Sequence, residues 1–159
     1  MTLLETVGAL LLAALVLGGS AFMIKKAIES NKVTSAQQNL STFRLDVKNL
    51  YKGEPDFTGL TTAIAVTNKV VPDGMLKSGG TVRNVWNGDV TVAAGTDPTT
   101  FTITHNNVPE YACVKMATFQ AESWESITVN GVEITQGSGM VAAISEQLAD
   151  ANTIVFTSN

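Results

Sequence analysis

At 159 residues the chain can hold one small domain with its own core plus a separate long helix. Its ten basic residues are scattered and its net charge is −4, so it has no electrostatic footprint for nucleic acid and no specific nucleic-acid partner is expected. Cys113 is the single cysteine, which excludes an intrachain disulfide and the paired-thiol zinc and redox patterns; it reads as a buried apolar filler.

The chain opens Met1-Thr2-Leu3-Leu4-Glu5-Thr6 and continues in an almost unbroken apolar run over residues 7–24. At about 1.5 Å per residue that run reaches roughly 27 Å, close to the roughly 30 Å hydrocarbon core of a bilayer. Glu5 is the one carboxylate at its edge. A charge near a bilayer centre costs about 2.5–3.5 kcal/mol, so Glu5 calls for a partner. No Lys or Arg precedes Lys25, so the run lacks the basic flank of a cleavable secretory signal. Lys25 and Lys26, taken alone, would hold everything downstream in the cytoplasm. Removal of a basic leader ahead of Met1 resolves this conflict, and the expectation is a processed chain whose new α-amino group lies near Glu5. Gly18 and Gly19, just before Ser20, admit two readings. Each glycine costs about 0.8–1.0 kcal/mol relative to Ala in a helix interior, so the pair is a site for local unwinding; alternatively, with Gly8, they permit close helix packing in an apolar medium.

Beyond Lys26, Ile28, Val33, Ala36, Leu40, Phe43, Val47, Leu50 and Tyr51 recur mostly at spacings of three and four, one apolar stripe of an amphipathic helix. Lys32, Gln37, Gln38, Asn39, Arg44, Asp46 and Lys48 fill its other face, and Gly53 and Pro55 end it. The domain reading is residues 1–53 as one helix and 54–159 as a globular head, with 1–24 apolar all round and 25–53 packing on the head. Residues 61–68 suggest a short helical turn. Residues 82–86 and 89–93 flank Asn87-Gly88, a hairpin signal because both turn residues tolerate positive φ. Residues 100–104 read as a third strand. Pro109 opens a helix to about Phe119, residues 126–129 and 132–135 flank Asn130-Gly131 as a second hairpin, 140–148 reads as helix and 153–157 as a last strand. The fold class is α+β: a long N-terminal helical stalk packed against a small antiparallel sheet.

No catalytic constellation emerges. His105, the only histidine, stands at an expected strand end before Asn106-Asn107 and reads as a loop or capping residue. Glu122, Glu125, Glu133 and Glu146 fall on separate elements and read as solvated surface groups. The stretches Thr96-Asp97-Pro98-Thr99 and Gly137-Ser138-Gly139 are turn chemistry, not phosphate loops. No enzyme activity, cofactor or metal is expected. Trp86 and Trp124 read as core or interface residues.

The Thr2-Leu3-Leu4-Glu5 tetrad, followed by an apolar run and an amphipathic half-helix, resembles the type IV pilins. Met at the first position looks like their type IVb branch, as do Leu50-Tyr51-Lys52-Gly53 and the segment from Tyr111 to Thr118. The resemblance implies that a prepilin peptidase removes a leader before Met1 and methylates its amine, and that Glu5 acts in assembly. It departs from the family in having no second cysteine for the usual C-terminal disulfide, so packing must replace the bridge. The expected function is the major subunit of a type IVb pilus, polymerising into an extracellular helical filament for adhesion, aggregation or conjugative mating. The expected partners are copies of itself, the inner membrane before assembly, the peptidase and the pilus assembly machinery. Leu3, Leu4, Leu10, Leu11, Leu12, Leu15 and Leu17 would pack the filament core. The alternatives are a minor pilin or type II secretion pseudopilin and, from another class, a membrane-tethered periplasmic binding or sensor domain.

Overall fold

The computed structural model of the chain describes residues 2–159, and at residues 15, 17 and 18 the backbone only. The first helix, α1 (Leu3–Leu50), runs without interruption through Gly18-Gly19, and the chain divides into two compact units, Met1–Lys32 and Val33–Asn159. In the first unit α1 is long and apolar enough to cross a membrane, and its apolar side chains are exposed. Lys48 in the last turn complements the negative end of the helix dipole. The Tyr51 and Lys52 N–H groups then bond to Val47 and Asn49 carbonyls, closing the helix end.

In the second unit Val33, Ala36, Leu40, Phe43 and Val47 are buried, the alternating three- and four-residue spacing that keeps one face of a helix inward. Each of the larger side chains contributes about 1.5–3 kcal/mol by leaving water. The sheet they share a core with holds β1 (Val90–Ala94), β2 (Phe101–Pro109), β3 (Ser126–Val129), β4 (Val132–Glu133) and β5 (Ala151–Ser158), in the order β1-β2-β5-β3-β4 with every pairing antiparallel. The last strand is therefore central: Phe156 stands opposite Ile103 on one side and Ile127 on the other. Three short helices complete the unit: α2 (Thr62–Thr67), α3 (Glu110–Thr118) and α4 (Met140–Ser145). The Thr62 hydroxyl accepts from Val92 N–H and donates to Val92 C=O, so α2 covers the edge of β1, which would otherwise offer unpaired backbone groups.

Several elements follow the pattern of the sequence. Thr61 caps α2, Pro109 precedes α3, and Asn130 (φ 50°) and Gly131 (φ 84°) turn β3 into β4 with both residues left-handed. The other hairpin shrinks. Asn87 has positive φ, but residues 82–86 form no strand; Arg83 and Asp89 make a single bridge, and β1 pairs with β2 instead. The reason lies in Asn84, whose buried side chain takes over the turn: Oδ1 accepts from Trp86 and Gly88 N–H, and Nδ2 donates to Asn106 C=O. That closeness also explains Gly88, since a Cβ there would lie 1.9 Å from the Asn106 carbonyl oxygen. α4 stops at Ser145, short of the expected 148, and β2 runs five residues past 104, with a bulge between His105 and Val108.

Two side chains stand elsewhere than expected. Arg44, assigned to the polar face of α1, is half-buried: Nε donates to Ser158 Oγ (2.8 Å), Nη2 donates to the Ser123 carbonyl, and the guanidinium lies 4.7 Å from the Trp124 ring centroid. It joins α1 to the C-terminal strand in a chain whose one cysteine, Cys113, is free and buried, its thiol pushed up to about 11 by burial. His105 is no loop residue. It follows Phe101 and Ile103 on the inward face of β2, fully buried, with neither ring nitrogen hydrogen-bonded and its ring edge-on to Phe156.

Burial lowers the His105 pKa from 6.5 to about 4, because charging the ring would require solvation it does not have. The unfolded chain binds this proton near pH 6.5 and the folded chain resists it, so stability is complete above pH 6.5 and falls as pH drops toward 4, by roughly 3 kcal/mol in all. Thermal unfolding of the detergent-solubilised chain should show this loss over that window, and His105→Phe should flatten it.

Candidate assembly site

The site predicted from sequence centres on the first turn of α1. Thr2 precedes the helix and Glu5 is its third helical residue, and the two bond reciprocally. The Glu5 N–H donates to Thr2 Oγ1 (3.3 Å) and the Thr2 N–H donates to Glu5 Oε2 (3.2 Å). This is a capping box, which satisfies two of the N–H groups a helix start leaves without intrahelical partners. The Thr2 carbonyl adds a further tie, accepting from both the N–H and the hydroxyl of Thr6. The carboxylate is thereby drawn to the positive end of the helix dipole, and its hydrogen bond to Thr2 uses Oε2. In the sequence Thr2 enters only as the first residue of the tetrad; its capping role is carried by the Thr-x-x-Glu spacing ahead of an apolar run.

Around Glu5 the helix is apolar and unburied. Leu3 and Leu4 are more than 80% exposed, and Leu10, Leu11, Leu12, Val16, Phe22, Met23 and Ile24 are all exposed. Met1 and the side chains of Leu15 and Leu17 lie outside the described residues, as does any side-chain account of Gly18. A Cβ built on Gly8 or Gly19 meets no atom within 4 Å, so neither glycine is required by packing inside this chain. Next to them the Ser20 hydroxyl donates to the Val16 carbonyl (2.9 Å), a back-bond that competes with the helical ladder and favours bending. Such a surface in water violates the rule that soluble chains keep exposed apolar patches small; it needs lipid or other apolar helices around it.

In the second unit the candidate chemical groups stand apart from one another. Glu122, Glu125, Glu133 and Glu146 are exposed, and His105 is sealed from any substrate. Asp97 accepts from the N–H and hydroxyl of Thr99, which hold its carboxyl below the usual range: turn geometry, as its sequence context implied. Among the described residues no group of three His, Cys, Asp or Glu side chains is placed to hold a metal. Trp86 is half-buried with its ring N–H donated to the Tyr111 hydroxyl, and Trp124 is buried.

Comparison with known proteins bears on the second unit. A family model described as PilS N terminal matches residues 30–159. The chain is 27% identical over 121 residues to the major structural subunit of bundle-forming pilus from Escherichia coli O127:H6 (strain E2348/69 / EPEC), and to the same subunit from Escherichia coli O111:H-. The alignment covers 74% of this chain and 63% of each relative, so the chain spans a little under two thirds of their length. Among solved structures, TcpA, a type IV pilin from Vibrio cholerae El Tor biotype, superposes with a TM-score of 0.57 at 12% identity, over 81% of this chain and 99% of that one. The type IVb pilin PilS from Salmonella typhi superposes at 0.51 with 23% identity, over 80% and 96%. Both share the α+β fold of a long helix with an antiparallel sheet.

The capping box makes its own prediction. Thr2→Ala removes the acceptor for the Glu5 N–H at a cost of about 1 kcal/mol, so that amide should exchange its hydrogen roughly five-fold faster in the micelle-bound chain. Thr2→Ser should exchange as the wild type does.

Proposed function

This chain belongs to the PilS family of type IVb pilins, and from that premise we propose that it is the major structural subunit of an extracellular type IVb pilus. In this reading the chain first resides in the inner membrane, held by the apolar part of α1. A prepilin peptidase generates and methylates the amine of Met1, and the assembly machinery draws the subunit out of the lipid. Leu3, Leu4, Leu10, Leu11, Leu12, Leu15 and Leu17 then exchange lipid for the same side chains of neighbouring copies. The observation that carries the reading is one carboxylate, Glu5, at the start of the exposed apolar stretch of α1 that precedes Lys25.

Glu5 of one copy pairs with the Met1 amine of the next. Before assembly its own Thr2 engages Oε2, which lessens the penalty of holding a carboxylate at membrane depth; on assembly Oε1 takes the neighbour's amine. Opposite charges brought into a dry core must be paired, and removal of one partner costs about 3–5 kcal/mol. Contacts of this kind run head to tail and do not close on themselves, which yields an open helical filament instead of a ring. Gly18 and Gly19, beside the Ser20 back-bond, are where α1 would unwind if the filament requires it to bend.

Glu5→Ala should leave the chain in the inner membrane at normal levels and abolish or severely reduce filaments seen by electron microscopy. Abundant normal filaments from that variant would refute the pairing. A sheared surface fraction that lacks the wild-type chain while membranes retain it would refute the filament itself.

A further inference from the structure

Where α1 gives way to the loop before α2, Leu50, Tyr51, Glu54, Thr58, Ile64 and Asn68 line a pocket of about 270 Å³. Local bonds shape it. The Glu54 N–H bonds back to the Tyr51 carbonyl, so the chain turns sharply after α1 and the exposed Glu54 carboxylate is carried to the pocket. Tyr51 is anchored: its ring packs on Phe57, centroids 5.5 Å apart, and Phe57 packs on the buried Phe101 at 4.7 Å. Asn68 is the C-cap of α2. Its Nδ2 donates to the Ile64 carbonyl (2.9 Å), so Oδ1 is the half of that amide able to serve a ligand.

The electrostatics of this pocket have one sign. Leu50 ends α1 and Asn68 ends α2, so each brings the negative end of a helix dipole to the pocket. Lys48 offsets that charge in the last turn of α1, but α2 has no basic residue in its own. Glu54 adds a full negative charge, and among the described residues neither Lys52 nor Lys69 forms an ion pair with it. The Tyr51 phenol is pushed above its ordinary value by burial first and by the Glu54 carboxylate second, so that charge is felt at the ring. The lining therefore offers one carboxylate, three neutral acceptors on Tyr51, Thr58 and Asn68, an aromatic ring that can take a cation, and the aliphatic side chains of Leu50 and Ile64. An anion would be repelled. A bare divalent cation would need six or more oxygen ligands and would leave the aliphatic groups unused. The volume also lies just below the roughly 300–1,000 Å³ of pockets for drug-sized ligands, so the occupant is small.

We infer that this pocket binds a small primary alkylammonium ion, its N–H groups donating to the Glu54 carboxylate and Asn68 Oδ1 beside the Tyr51 ring, and its alkyl stem lying against Leu50 and Ile64. Charge brings the ion in, the neutral acceptors match its several donors, and the aliphatic pair selects for a stem. The site does not involve Glu5 and is independent of the filament reading.

The test is a titration of the full chain, in micelles of a nonionic detergent, with n-butylammonium chloride, followed by nitrogen-15 correlation spectra. Saturable shifts should appear at the backbone amides of Tyr51, Glu54 and Asn68 and at the Asn68 side-chain amide, with half-saturation in the millimolar range. 1-Butanol, which has the stem without the charge, and sodium chloride at the same concentration should leave these signals in place. Glu54→Gln keeps the shape of an exposed side chain and should raise the half-saturation concentration on the order of ten-fold, because a hydrogen bond to a charged group is lost. Methylammonium, titrated into the wild-type chain, should bind several-fold more weakly than butylammonium because it lacks the stem. The inference is overturned by an absence of saturable shifts, by an equal response to 1-butanol, by unchanged binding in Glu54→Gln, or by methylammonium binding as well as butylammonium. Shifts of the same size around Glu110, Glu125 and Glu146 would likewise overturn it, since they would mark a general attraction of cations to surface carboxylates.

Discussion

The burial of one helical stripe, Val33 to Val47, in a common core with the sheet is the contact on which the second unit depends. A small antiparallel sheet with two-residue and five-residue edges is not stable without a covered face. The strand at its centre, β5, is the last to be made, so the core cannot close until the end of the chain meets its beginning. Arg44 marks that meeting: it sits among the stripe residues and reaches Ser158 on β5 and Trp124 beside it. In a chain with one cysteine this is the polar tie that joins the first element of the unit to the last. It is also a non-local one, formed across 114 residues.

The polar interior is treated in two contrasting ways. Asn152 is buried and has every hydrogen bond its amide can make: Oδ1 accepts from Asn130 and Ala149, and Nδ2 donates to Val108 and Ala149. Asn84 does similar work at the shrunken turn. His105 and the Trp124 ring N–H, both packed against Phe156, have no hydrogen-bond partner among the described residues. The satisfied asparagines lock loops into one conformation, whereas the unsatisfied aromatic cluster makes the centre of the sheet sensitive to acid.

α1 is asked to be two helices. Up to Lys32 its exposed apolar surface suits lipid or other copies; from Val33 it is a component of a folded core. The capping box at its start reconciles the first role with a carboxylate, because Thr2 supplies a local donor and the dipole a local field before any neighbour is present. In the proposed filament the neighbour's amine adds to an arrangement already in place, so Glu5 need not find its geometry at the moment of assembly.

Helical and turn features with local causes were legible from the residues: the α1 stripe, the Thr61 cap, Pro109 ahead of α3, and the left-handed Asn130-Gly131 pair. Each is written in side-chain chemistry within about four positions of itself. The proposed role of Glu5 starts from a local signal of the same kind, since Glu5 contradicts its own neighbours, and Thr2, which completes its capping box, lies three positions from it. What the sequence could not decide depends on partners far along the chain. Asn87-Gly88 carries a hairpin signal, but Asn84 and the Asn106 carbonyl, 22 residues apart, convert it to a turn. His105 looked like the end of a strand because the bulge that carries β2 onward is set by its register with β5. The central place of β5 and the reach of Arg44 to Ser158 both arise only when the sheet closes. Periodicity reports which face of an element is apolar; only the tertiary structure decides which element that face will meet.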